Sequence, residues 1–129
     1  MKYLKYEELL FIHSAIIDAT GGLHGVRDLG LLLSIIEKPK LKFLGKEIYR
    51  SVFQKATVYL ESIAKYHPFV DGNKRTAIAA ALRFLNLNSY NFDASDEEIE
   101  NFILMVVEEK LDIDMIAKWL KKHSRKRKN

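Results

Sequence analysis

The densest run of reactive side chains in this chain is His67-Pro68-Phe69-Val70-Asp71-Gly72-Asn73-Lys74-Arg75-Thr76. Histidine, whose ordinary pKa lies near neutrality, can take a proton from an attacking hydroxyl as a general base. Asp71 offers a carboxylate of the kind that holds Mg²⁺ when phosphate oxygens complete the shell. Gly72 lets backbone approach a ligand closely, and a helix opening after it leaves its first N–H groups without partners. That positive helix end, with Lys74 and Arg75 on it, suits a phosphate. Pro68 disfavours helix at His67, and Phe69 and Val70 are expected to anchor the loop in the core, leaving His67 and Asp71 free. Together these parts make a phosphoryl- or nucleotidyl-transfer site, where positioning and charge neutralisation are most of what a protein supplies. Each residue alone would fit an ordinary inter-helix loop; the combination before a buried helix points to chemistry.

The elements that must hold this segment read as helices. Strand-like alternation is weak, apolar residues recur at helical spacing, and both prolines fall at helix ends. Tyr6 to about Ala19 carries a stripe of Leu9, Leu10, Ile12, Ile16 and Ile17, stopped by Gly21-Gly22. A glycine-containing turn runs to Arg27. Asp28 can cap a second helix that ends before Pro39, and Lys38-Pro39 is its exit. Residues 39–46 alternate apolar and basic side chains and predict a short extended flap. A third helix is expected from about Glu47 to Tyr66, and a fourth from about Asn73 to Leu87. The fourth is interrupted only by Arg83 in a run of alanines and large apolar residues, which predicts a buried central helix. Ser95-Asp96-Glu97-Glu98 is a capping-box sequence for a fifth helix, and Asp112 can cap a sixth. The prediction is an all-α, compact six-helix bundle, one domain over residues 1–120.

Composition narrows the function classes. A chain of 129 residues with 48% hydrophobic and 29% charged content is an ordinary globular protein, and one without cysteine has no disulfide, thiolate metal site or cysteine nucleophile. It lacks a signal-like apolar segment and any membrane-length apolar run, so a soluble, cytoplasmic protein with no membrane partner is expected. The +4 net charge sits in the tail: residues 121–129 hold six of the 21 basic and none of the 17 acidic residues. A basic tail on a slightly acidic body reads as a solvated, frayed terminus, and nucleic acid is not expected as a partner.

The segment resembles the signature of the Fic superfamily, His-x-Phe-x-Asp/Glu-Gly-Asn-x-x-Arg, through Asn73. It then departs: AMP-transferring members place a second glycine where Lys74 stands, whereas Lys74-Arg75 is similar to the death-on-curing (Doc) toxins. Gly25-Val26-Arg27-Asp28-Leu29-Gly30-Leu31-Leu32 and the Lys38-Pro39 exit also look like the N-terminal half of that family. The resemblance covers nearly the whole chain and implies the Fic/Doc-type bundle, with ATP and Mg²⁺ as cofactors. It implies His67 as base, Asp71 as the Mg²⁺ ligand, Gly72 and Asn73 in the phosphate cradle, and Lys74 and Arg75 on the outer phosphates. In Doc-type proteins the lysine accompanies a reversed ATP, so the γ-phosphate faces the incoming hydroxyl. A long cationic side chain fills space that glycine leaves open and places a point charge at the terminal phosphates.

The resemblance thus implies the toxin of a toxin–antitoxin module, a Ser/Thr kinase acting on a protein such as elongation factor Tu to arrest translation. Its partner would be a Phd-like antitoxin. The alternatives are AMP transfer to a protein hydroxyl, as in other Fic proteins, and a non-catalytic binding module that keeps the fold. Some Fic proteins carry an internal inhibitory helix; the near match here, Thr57 to Ser62, lies in the helix leading to His67, so inhibition from outside is expected. His13, His24 and His123 lack metal-ligand spacing and read as solvated or hydrogen-bonded; no structural metal is predicted. Arg27 and Asp28 could approach the site, Lys40, Lys42 and Lys46 read as solvated, and Trp119 reads as core.

Overall fold

The computed structural model describes residues 1–109 and 111–128. Six helices appear among them: α1 (Tyr6–Thr20), α2 (Leu29–Glu37), α3 (Val52–Tyr66), α4 (Asn73–Leu87), α5 (Asp96–Glu108) and α6 (Ile113–Lys122). A 3₁₀ turn (Lys38–Lys40) follows α2. Two small antiparallel pairs complete the fold: β1 (Lys42–Phe43) with β2 (Lys46–Glu47), and β3 (Tyr90–Phe92) with β4 (Ser124–Lys126).

The caps fall where side-chain chemistry allows them. Asp28 accepts from Leu31 N–H and Asp112 from Met115 N–H, while Ser51 with Gln54 and Ser95 with Glu98 form reciprocal capping boxes. The Ser51 box makes α3 begin at Val52, later than the expected Glu47. Residues 42–47 form a hairpin, whose turn residues Leu44 and Gly45 take positive φ of 51° and 78°. This is the expected flap, and it exposes Phe43 and Leu44. Lys55 secures its base: the side chain is fully buried, with Nζ donating to Pro39 O at 2.9 Å and Glu47 Oε1 at 3.1 Å.

The core is centred on the α3–α4 pair, with α1, α2, α5 and α6 around it. α4 is the buried central helix that its run of alanines predicts, and α3, packed against it, is buried over more of its length. Ten α3 residues are buried, against seven of α4, because α4 turns Lys74, Arg75, Arg83 and Asn86 to solvent. Ala77, Ala80 and Ala81 bring α4 close to its neighbours. The tail also differs from expectation. Ser124–Lys126 pair with Tyr90–Phe92, Arg127 N–H donates to Ser89 O at 2.7 Å, and Ser124 Oγ to Leu120 O. Backbone groups that solvent would otherwise satisfy are paired here, over a packed cluster in which Trp119 stacks on Phe102 at 3.9 Å. Asn129, also placed in the tail, lies outside the described residues.

Candidate active site

α3 ends because His67 cannot continue it: the residue before Pro68 takes a left-handed conformation (φ 55°, ψ 64°) and donates its N–H to Ile63 O. The freed carbonyls at this end are met by Arg27, whose Nε donates to His67 O at 2.6 Å and Nη2 to Tyr66 O at 2.7 Å. The glycine-rich turn after α1 then runs alongside the reactive loop. Arg27 N–H and Asp28 N–H donate to Pro68 O, Val70 N–H donates to Gly25 O, and Val26 bridges Phe69.

Phe69 is the loop's anchor, with no exposed surface, while Val70 is 49% exposed and anchors nothing. Phe69 lies in an extended bridge to Val26, where successive side chains point to opposite sides, so its neighbour Val70 turns outward. Asn73 closes the loop on itself. Its Oδ1 accepts from Phe69 N–H at 3.0 Å and its Nδ2 donates to Phe69 O at 2.9 Å, both buried. The side chain is thus engaged in holding the loop, and the backbone N–H of Asn73 is the group the residue offers an anion. Gly72, at φ 72° and ψ 20°, is the N-cap of α4 and is pressed on α1: a Cβ there would lie 2.8 Å from Ile17 Cδ1. Thr76 N–H is the first to bond within the helix, to Gly72 O, which leaves the amides of Asn73, Lys74 and Arg75 at its open end.

Asp71 is held by backbone amides. Leu23 N–H donates to Oδ2 at 3.2 Å and Gly72 N–H to Oδ1 at 2.9 Å. These hydrogen bonds, with the nearby charge of Arg75, hold its carboxyl below the usual carboxylate range, so it is ionised at neutral pH. Gly22 has no room for a side chain, since a Cβ would lie 2.7 Å from Asp71 Oδ2.

His67, Val70, Asp71, Gly72, Asn73, Lys74 and Arg75 line one cleft of about 300 Å³, so all six sequence-predicted site residues come together. Lys74 and Arg75 also border an adjoining groove of about 730 Å³ between α1, α4 and α5. Arg75 Nη1 donates to Thr20 Oγ1 at the end of α1. Among the described residues no group of three or more His, Cys, Asp or Glu forms a metal cage. A single ionised carboxylate beside an anion site fits Mg²⁺, which keeps water and phosphate as its other ligands, and does not fit an all-protein site.

Three contributors lie outside the expected set. Thr20 and Leu23 reach the site only through the fold. His13 carried a signal: with Leu9 and Ile17 it makes the buried row of α1, at a spacing of four. It contacts the loop, with Nε2 2.8 Å from Asp71 O. His24 and His123 are hydrogen-bonded to Asp18 and to Trp119 O and Glu98. Thr57 and Ser62, the near match to an inhibitory motif, are buried within α3.

The Fic/DOC family model matches residues 3–85. The chain belongs to the Fic/DOC family. Among relatives of this Fic/DOC chain, the toxin Doc of Mycolicibacterium smegmatis is 37% identical over 118 residues, covering 90% of this chain and 88% of that protein. The protein kinase doc of Escherichia phage P1 is 37% identical over 97 residues, covering 75% of this chain and 76% of the other. Among the described residues no helix is long and apolar enough to cross a membrane.

Proposed function

We propose that this Fic/DOC chain is the toxin of a toxin–antitoxin module and transfers the γ-phosphate of ATP to a Ser or Thr hydroxyl of a target protein in the cytoplasm. The observation that carries this reading is the cluster at the start of α4: exposed Lys74 and Arg75 beside open helix amides, in one cleft with His67. The names of the relatives, a toxin and a protein kinase, support it.

His67 takes the hydroxyl proton as the oxygen attacks the γ-phosphorus, and the bond to the bridging oxygen breaks to release ADP. The amides of Asn73, Lys74 and Arg75 bind phosphate oxygens, and the two side chains neutralise charge on the outer phosphates. Mg²⁺, when bound at Asp71, supplies further neutralisation of phosphate charge. The target is elongation factor Tu and the consequence arrest of translation. A Phd-like antitoxin is the partner, since the inhibitory-motif near match is locked inside α3.

The test is incubation of the protein with a bacterial lysate, Mg²⁺ and ATP labelled at either the α- or the γ-phosphate, with His67→Ala in parallel. Label from γ that disappears in the variant is the expected result. Label from α would replace this reading by AMP transfer, and label from neither, with target present, would leave a binding module.

A further inference from the structure

His13 is a polar side chain in an apolar row. The buried residues of α1 are Leu9, His13 and Ile17, and an imidazole 4% exposed needs its polar edge satisfied. One face of the ring lies flat on Phe69, 3.9 Å between centroids and 5° between planes. Its Nε2 stands 2.8 Å from Asp71 O, and because a carbonyl only accepts, Nε2 carries the hydrogen.

That contact is with the peptide between Asp71 and Gly72. The bond is trans, so its C=O and N–H point to opposite sides of one rigid plane. Holding the carbonyl on α1 aims the Gly72 N–H, and this N–H is the one that donates to Asp71 Oδ1 at 2.9 Å. The same plane leads into Gly72, whose left-handed φ of 72° starts α4 and sets where its open amides face. Ile17 below Gly72 limits the loop sterically, whereas His13 supplies direction.

We propose that His13 is a positioning residue: it fixes the Asp71–Gly72 peptide plane and thereby the aim of the Asp71 carboxylate and of the anion-binding amides of α4. Only the catalytic readout of this inference rests on the phosphate-transfer reading.

Two substitutions separate direction from packing. His13→Phe keeps a flat ring on Phe69 and removes the donor; His13→Gln removes the ring and keeps an N–H near the position of Nε2. Each is followed by the NMR shift of the Gly72 amide, by binding of Mn²⁺ with the β,γ-imido analogue of ATP, and by kcat and KM for ATP. In His13→Phe the Gly72 amide should move, binding should weaken about tenfold, and kcat should fall about tenfold with a smaller change in KM. His13→Gln should restore all of these to within about threefold of the native protein. The reverse ranking, with Phe near native and Gln impaired, would reduce His13 to packing and overturn the proposal, as would equal impairment of both variants. Should the native protein transfer no γ-phosphate, the kinase reading falls on its own, and the amide shift and Mn²⁺ binding still decide the role of His13.

Discussion

Asn73 sits in the signature as though it touched phosphate, yet the residue is 8% exposed and both polar atoms of its side chain bond Phe69. Asn73→Ala should therefore act first on stability. It strands the N–H and the C=O of Phe69, a residue with no exposed surface. Leaving a buried backbone group unpaired costs roughly 1–3 kcal/mol, so the pair should cost about 2–6 kcal/mol. Against a total stability of about 5–15 kcal/mol that is a large fraction. For a domain of this size it should lower Tm by on the order of 10 °C. Thermal unfolding by circular dichroism and a urea midpoint measured at unchanged slope give the two estimates. Loss of ATP binding should accompany the fall, because the loop that presents Asp71 is released. A variant whose Tm stays within about 2 °C of native while ATP binding is lost would refute this reasoning and make Asn73 a direct ligand, since about 1 kcal/mol moves Tm by at least that much.

Lys55→Met keeps the buried stem but strands Pro39 O and removes the ion pair to the solvent-accessible Glu47. It should cost about 1–3 kcal/mol and speed hydrogen exchange at Ile48, whose N–H closes the flap on Leu41 O. Arg27→Ala removes two hydrogen bonds from the end of α3 and should cost about 1–2 kcal/mol in a urea titration, with γ-phosphate transfer reduced. Truncation after His123 deletes β4 and should lower Tm by several degrees while leaving γ-phosphate transfer near native, because the site draws nothing from the tail. The Asp71 carboxyl, depressed by its amide partners, favours the folded state fully above the ordinary carboxylate range, and that contribution fades only as pH falls through its lowered value. A ¹³C titration of Asp71 should accordingly show a midpoint below the ordinary aspartate value, and a midpoint at or above it would contradict the amide contacts.

Helix positions were legible wherever a cap or a breaker stood in the chain. Asp28, Ser95, Asp112 and Pro68 each act locally, within one turn, and each fell where its chemistry requires. The start of α3 was misread because Ile48 and Val52 share a helical spacing. Ser51 with Gln54, and the turn at Leu44-Gly45, decide the boundary instead. The relative burial of α3 and α4 depends on how many neighbours each helix has, which periodicity does not encode. The tail looked solvated because its side chains are charged; its order comes from backbone pairing with β3, a partner distant in sequence. The reactive segment was legible as a unit, being contiguous. Its supports were not, since His13, Thr20 and Leu23 lie about 50 residues away. Of these only His13 left a trace, a histidine in register with Leu9 and Ile17.

The central claim is that the cleft around His67 moves a phosphate rather than a nucleotide. The most direct measurement is the intact mass of purified elongation factor Tu after incubation with this protein, ATP and Mg²⁺, with His67→Ala as control. An increment of one phosphate, absent with the variant, is the predicted result. An increment of one AMP would contradict the role given to Lys74, and a phosphate that persists in His67→Ala would contradict the role given to the base.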